Sequence, residues 1–151
     1  MDAEAGTVLR IIAVGRMKDA RLGDLLEDYL RRIRPLAPVE MIELKDSDPA
    51  REGRDMAARL GSARGSELTV ALDEHGEDLT SADLAALLGR HGSIAFLVGG
   101  ADGLGPAARE RADRLLRLSS LTLTHEMARM LLAEQIYRGL SILRGRPYHR
   151  A

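Results

Sequence analysis

The sequence predicts an α/β fold in which a mainly parallel sheet is covered by helices on both faces. Short apolar, β-branched runs alternate along the chain with segments of helical periodicity, the pattern of repeated β-α-β units. The first run, Val8–Val14, is strongly apolar apart from Arg10, as expected for a strand buried on both faces. The length of 151 residues suits one domain, residues 1–151, whose first six residues are predicted to be a disordered extension.

In the first half of the chain, the strand Val8–Val14 ends at Gly15 and a helix follows it. That helix is predicted from apolar residues at helical spacing, and Pro35 ends it. The residues on this spacing are Leu22, Leu25, Leu26, Tyr29, Leu30 and Ile33. A second strand is predicted at Val39–Leu44, a helix at residues 49–64, and a third strand at residues 68–72.

In the second half, residues 73–78 form a polar run that predicts a turn, and Ser81 begins a helix through Leu88. A fourth strand is predicted at residues 94–98. The hydroxyl and apolar alternation of residues 119–124 indicates a short strand or an extended loop.

The last helix begins at Thr124 or His125, either of which can cap it, and Gly145 followed by Pro147 ends it. The chain therefore closes on Tyr148 and His149 after a helix has ended. In this part of the sequence we find no apolar partner for these side chains, so removing the tail is expected to change stability little.

Ligands of open parallel sheets bind beyond the carboxyl ends of the strands. Three such ends are predicted at Leu72, Val98 and Leu123, which makes them candidates for one common site. The stretch from Gly99 to Pro106 follows one of these strands and opens a helix. Taken alone it is better explained by a tight structural turn than by a cofactor loop, because it matches neither a Rossmann nor a P-loop pattern.

Composition narrows the functional classes. The chain has no cysteine, which excludes disulfides and the commonest structural zinc sites, and no His and carboxylate spacing predicts a metal site. No apolar run approaches a membrane span and no signal peptide is evident, so a cytoplasmic protein without membrane partners is predicted.

Positive charge is concentrated in the last third of the chain. Residues 109–151 hold nine arginines and four acidic residues, whereas residues 1–108 hold 13 basic and 19 acidic residues. The overall charge of -1 argues against indiscriminate nucleic-acid binding, but the arginine-rich end suits phosphate contacts. Four of these arginines are predicted only to solvate a helix face: Arg109, Arg111, Arg114 and Arg117.

Four separated segments resemble one family. They are Leu-Val-Gly-Gly-Ala-Asp-Gly-Leu at 97–104, Leu-Ser-Ser-Leu-Thr-Leu-Thr-His at 118–125, Ala-Glu-Gln-Ile-Tyr-Arg at 133–138 and Pro-Tyr-His-Arg at 147–150. Their order and spacing are similar to those of the bacterial ribosomal RNA large-subunit methyltransferases of the SPOUT superfamily. The chain departs from that family at Ala101, Asp102 and Thr124, where Pro, Glu and Pro are usual.

The resemblance implies an enzyme that methylates N3 of a pseudouridine in large-subunit (23S) ribosomal RNA. It also implies a homodimer, a C-terminal trefoil knot and S-adenosylmethionine as cofactor. Because the chain is near neutral overall, its affinity for free RNA should be poor, and it is predicted to act on the assembled ribosome or large subunit. The matching cofactor positions are Leu72, Gly99, Gly100, Gly103, Ser119, Ser120, Leu121, Thr122, Leu123 and Thr124.

The resemblance also implies catalytic positions near the C-terminus. His149 is expected to act as a base or an orienting group, because a histidine titrates near neutrality. Arg138 is expected to hold a phosphate or carbonyl of the nucleotide, while His125 and Tyr148 shape the pocket. Without the resemblance, His125 is an ordinary helix cap, and Arg138 forms a surface ion pair with Glu134.

Two other classes remain open at the level of sequence. A different nucleotide-binding α/β enzyme would use the glycine-rich loop for phosphate. A non-catalytic ribosome-associated module would bind RNA through the arginine-rich end.

Overall fold

The computed structural model describes residues 6–61 and 67–150. Within these residues, five strands form one sheet in the order β2-β1-β4-β3-β5, and all neighbouring strands are parallel. The strands are β1 Val8–Val14, β2 Val39–Leu44, β3 Leu68–Asp78, β4 Ser93–Val98 and β5 Arg114–Arg117. The predicted N-terminal extension lies, apart from the exposed Gly6, outside the described residues.

Helices cover both faces of the sheet, so the predicted fold class is confirmed. They are α1 Ala20–Ile33, α2 Pro49–Leu60, α3 Ser81–Arg90, α4 Pro106–Arg111 and α5 His125–Leu143. One apolar core joins α1, α3 and α5 to one face of the sheet, and a second joins α2 and α4 to the other. Most residues of the central strands β1 and β4 are buried between the two cores, which explains why their sequences are mainly apolar.

The predicted turn at residues 73–78 is wrong, because β3 continues through these residues to Asp78. A register shift between Leu72 and Glu77 lets the strand pair again with β5, which the sequence did not reveal. Gly76 permits this course, since a Cβ there would lie 2.6 Å from the Leu115 carbonyl carbon. Two ion pairs, Glu77–Arg114 and Asp78–Arg117, join the strands along the same edge.

The prediction that four arginines merely solvate a helix face is therefore also wrong. Arg114 and Arg117 lie on a strand and pair with β3 carboxylates. On α4, Arg109 pairs with Asp73, and Arg111 donates to the backbone carbonyls of Ala57 and Gly61. Each arginine thus ties one element to another.

Several boundaries differ from those predicted. The helix predicted at residues 49–64 ends at Leu60, because Gly61 takes a left-handed φ of +74° at its C-cap. Residues 62–64 of that prediction lie outside the described residues. The helix α3 continues two residues past Leu88. Residues 119–124 form an extended loop, so Leu123 does not end a strand, and the nearest strand end is Arg117 of β5.

The long helix α5 packs between α1 and α3 and is fixed at its start to the sheet. The Thr124 side chain caps it by accepting from the Met127 N–H. One turn later, the buried Arg129 donates to the carbonyl oxygens of Val14 and Gly15 at 2.9 and 2.8 Å, and to Glu43. Further along, Gly139 permits close contact with α3. In the part of the chain described, no helix is long and apolar enough to span a membrane.

Candidate active site

A cleft of about 880 Å³ opens beside the register shift in β3 and at the ends of β4 and β5. Three segments form its walls: residues 72–75 within β3, residues 98–104 at the end of β4 and beyond, and residues 116–125 without Ser120. Arg109 and Ala128 complete the lining. The position agrees with the rule that ligands bind at the carboxyl edge of a parallel sheet.

The structure brings together nearly all the residues predicted to bind a cofactor. Those lining the cleft are Leu72, Gly99, Gly100, Gly103, Ser119, Leu121, Thr122, Leu123 and Thr124. Ser120 does not line it. His125, predicted to be catalytic, also lies in this cleft, at the first residue of α5.

The glycine-rich loop is a tight structural turn, and it also lines the cleft. Gly103, at φ +88°, donates its N–H to the Gly100 carbonyl at 3.0 Å, which closes a tight turn at the cleft wall. A Cβ on Gly99 would lie 2.7 Å from the Gly103 carbonyl carbon. Gly105 instead packs on α2, where a Cβ would collide with the Pro49 carbonyl. Structural packing thus fixes the loop whose glycines face the cleft.

An ion pair spans two walls of the cleft. The Asp73 side chain is 4% exposed and accepts from the Arg109 guanidinium through one oxygen and from the His75 N–H through the other. Burial disfavours the charged carboxylate, but these hydrogen bonds outweigh it and hold the pKa of Asp73 below its ordinary value. The middle of β3 is thereby tied to the helix that follows the glycine-rich loop.

The other three predicted catalytic residues form a separate cluster around the tail. Arg138 donates to Glu134 at 2.7 Å and to the Nδ1 atom of His149 at 3.2 Å. The Tyr148 hydroxyl donates to the same Glu134 oxygen at 2.7 Å. Because its one proton is used there, the 2.9 Å contact with Tyr29 requires Tyr29 to donate.

Aromatic rings surround this tail cluster. The rings of Tyr148 and Tyr137 meet edge to face at 4.7 Å, and Tyr29 lies 6.0 Å from Tyr137. The Arg138 guanidinium stands 4.8 Å from the centre of the Tyr148 ring. The expectation that the tail has no apolar partner is wrong, because α1 and α5 supply one.

The directions of the hydrogen bonds determine which side chains of the tail cluster can act as donors and which as bases. Burial, and then hydrogen bonds with Tyr29 and Glu134, raise the pKa of the Tyr148 phenol, so Tyr148 is a donor rather than a base. A guanidinium can only donate, so Nδ1 of His149 accepts from Arg138 and the ring proton lies on Nε2. His149 therefore presents an N–H to a ligand while this contact is in place.

The cleft and the tail cluster lie apart in a single chain. Among residues 6–61 and 67–150, the cleft is lined by none of Arg138, Tyr148 and His149. Tyr148 bonds to Glu134, nine positions after His125, which corresponds to about 14 Å along the axis of α5. The described residues contain no group of three or more His, Asp or Glu that could hold a metal ion.

Comparison with known proteins decides the family. The family model described as "Predicted SPOUT methyltransferase" matches residues 8–149. The chain belongs to the SPOUT methyltransferase family. It is 44% identical to a protein of Synechococcus sp. named Ribosomal RNA large subunit methyltransferase H, with 95% of both chains covered. Proteins of the same name from Cupriavidus taiwanensis and Desulfovibrio desulfuricans are 43% and 42% identical, with 95% and 96% of this chain and 99% of each relative covered.

Solved structures agree on the SPOUT fold. A probable methyltransferase from Bordetella pertussis superposes with a TM-score of 0.58 at 15% identity, covering 92% of this chain and 99% of the other. The SpoU methyltransferase AviRb from Streptomyces viridochromogenes, solved with the cofactor AdoMet, superposes with a TM-score of 0.53 at 15% identity. That alignment covers 93% of this chain and 62% of AviRb. The trefoil knot of SPOUT enzymes stays a prediction for this chain.

Sequence reasoning missed two members of the tail cluster. The sequence indicated Glu134 only as an ion-pair partner of Arg138 at helical spacing. In the structure it also accepts a hydrogen bond from the Tyr148 hydroxyl. Tyr29 lies 119 residues before Tyr148 and was placed only in the core of α1. No local pattern could have joined it to the tail.

Proposed function

We propose that this chain is an S-adenosylmethionine-dependent methyltransferase that methylates N3 of a pseudouridine in large-subunit ribosomal RNA. The observation that carries this proposal is the agreement of two features. The chain is 44% identical over nearly its full length to a protein named for large-subunit ribosomal RNA methylation. Its cleft also gathers nine of the ten positions expected to bind the cofactor.

The cleft suits S-adenosylmethionine in size and chemistry. Its volume of about 880 Å³ falls within the range of small-molecule sites. Leucines and Val98 line it, and the backbone of the glycine-rich loop supplies donors and acceptors for an adenine. When bound, the cofactor supplies a methyl group on a positively charged sulfur, which is already a good leaving group.

The tail cluster is proposed to position the nucleotide. With Arg138 bonded to Nδ1, His149 offers its Nε2 proton to a carbonyl oxygen of the base and so orients N3 towards the methyl group. In this role the N3 proton leaves to solvent water. For His149 to take that proton itself, Arg138 must first release Nδ1, so that Nδ1 accepts the proton or, after the ring proton has moved to Nδ1, Nε2 accepts it. Arg138 keeps donors for a phosphate or carbonyl, while Tyr148 and His125 shape the two sides of the pocket.

A homodimer would bring the two halves of this site together. Since the tail cluster and the cleft are separated by about 14 Å along α5, the proposed site needs the tail of one chain to meet the cleft of another. Leu121 supports this arrangement, because it exposes 76% of its surface at the rim of the cleft. The active form is proposed to be a dimer that works in the cytoplasm on ribosomes or large subunits.

Methyl transfer to large subunits that lack the modification tests this function. Subunits are incubated with the protein and labelled S-adenosylmethionine, and the modified nucleoside is identified by mass spectrometry. Incorporation of one methyl group, recovered as N3-methylpseudouridine, is expected. Cofactor binding without any transfer would favour a non-catalytic ribosome-associated module, and binding of ATP in its place would favour a different nucleotide enzyme.

A further inference from the structure

Arg109 lines the cleft and forms an ion pair with Asp73, but it is not among the residues expected to bind the cofactor. The Arg109 side chain is 46% exposed. Within residues 6–61 and 67–150 it donates from Nε and Nη2, and both bonds go to a single Asp73 oxygen. The end of the guanidinium that carries Nη1 is therefore free to donate to a ligand.

Asp73 holds this guanidinium in a fixed place. Its carboxylate is 4% exposed and its second oxygen accepts from the His75 N–H at 2.8 Å, so the acceptor cannot swing away with the arginine. A donor held by its own packed partner loses little conformational freedom when a ligand binds. The geometry is that of an arginine with one side fixed to the protein and its end presented to the cleft.

A second arginine in the cleft, Arg117, lacks this support. It bonds to both oxygens of Asp78, but that carboxylate is 69% exposed at the sheet edge. The rim also carries Glu74 and Asp102, which would repel an anionic ligand group. An anion in this cleft therefore needs a cation, and Arg109 is the one that is anchored on a buried group.

We propose that Arg109 binds the carboxylate of the cofactor's amino-acid end, with Nη1 and the second Nη2 proton donating to its two oxygens. This inference rests on the proposed function, since it takes S-adenosylmethionine as the ligand of the cleft. End-on pairing of guanidinium and carboxylate gives both strength and direction. Arg109 thereby selects cofactors that carry an α-carboxylate.

Calorimetric titration with two ligands tests this role. The ligands are S-adenosylmethionine and its decarboxylated form, which keeps the sulfonium, the amine and the nucleoside but lacks the carboxylate. Arg109→Met is expected to weaken binding of S-adenosylmethionine about tenfold or more while leaving the decarboxylated form within about twofold. Arg109→Lys keeps the charge but not the paired donors of a guanidinium. Its affinity for S-adenosylmethionine is therefore expected to lie between those of the wild type and Arg109→Met.

Two other variants serve as controls. Arg114→Met removes an ion pair from the same sheet edge without touching the cleft, so it should bind both ligands as the wild type does. Arg117→Met tests the competing arginine. The melting temperature of each variant reports any general loss of structure.

Three results would overturn the inference. The first is an equal loss of affinity for both ligands in Arg109→Met, and the second is an unchanged affinity for both ligands in that variant. The third is a preference for S-adenosylmethionine over the decarboxylated form that is lost only in Arg117→Met. A wild-type protein that binds neither ligand would instead contradict the proposed function itself, so the two failures are distinguishable.

Discussion

His149 is the residue on which the proposed chemistry depends most. Its Nδ1 atom accepts from Arg138, which leaves a proton on Nε2 and makes the ring an orienting donor in this state. Sequence alone left base and orienting group as equal alternatives, because a histidine can do either. The contact with Arg138 favours the orienting role, and it arises from the return of the tail onto α5, which no local pattern in the sequence specifies.

Substitutions at His149 distinguish the two roles. His149→Ala should lower single-turnover methylation by roughly 100-fold, the effect typical of losing a positioned catalytic group. His149→Asn retains an N–H donor but no base, so an orienting role predicts that it recovers a substantial part of the lost rate. Rates of both variants are compared at saturating cofactor and subunits. An equal loss of methylation rate in His149→Ala and His149→Asn would contradict the orienting role and indicate that His149 is a base.

The elements show where sequence patterns succeed and where they fail. β1 and β4 are buried on both faces, and their apolar runs were sufficient to predict them. β5 was missed because its four residues, Arg-Leu-Leu-Arg, become a strand only by pairing with β3. The turn predicted at residues 73–78 failed for the same reason, since the polar residues there belong to β3, which ion pairs join to the edge strand β5.

The C-terminal tail also behaves as part of the packed structure. Deleting residues 148–151 removes the partner of Tyr29 and Glu134 and one ring of the aromatic cluster. We expect the free energy of unfolding to fall by about 1–3 kcal/mol, in contrast to the small change predicted from sequence. Urea denaturation measures it, with Arg150→Ala as a control that leaves the cluster intact. An unchanged unfolding midpoint would contradict the packing described here.

At the scale of the whole molecule, charge and size suggest how the substrate is recognised. The net charge is -1, so the chain has no large excess of cations for contacts with phosphates. Affinity for free RNA should therefore be weak and strongly salt-dependent, while an assembled subunit adds shape and protein contacts. The fold class was predictable from the alternation of strands and helices, and the place of the cleft from the end of β4 at Val98. The course of β3 past Leu72 and the separation of cleft and tail were not predictable.

This reasoning predicts a preference for assembled subunits. The methylation efficiency, kcat/KM, should be much higher for intact large subunits than for the same ribosomal RNA stripped of protein, at matched ionic strength. Parallel assays with the two substrates measure it. If stripped RNA were methylated as efficiently as subunits, recognition would lie in the RNA alone and this prediction would be wrong.

The central claim is that one active site takes its cleft from one chain and its tail from another. A mixed dimer tests it most directly: one chain carries Gly99→Leu, which distorts the cofactor loop, and the other carries His149→Ala. The two chains are coexpressed with different affinity tags, purified through both, and assayed for methyl transfer beside each parent dimer. We predict that both parents are nearly inactive and that the mixed dimer recovers about half of the wild-type activity, because one of its two sites is then intact. A mixed dimer as inactive as its parents would contradict the shared site.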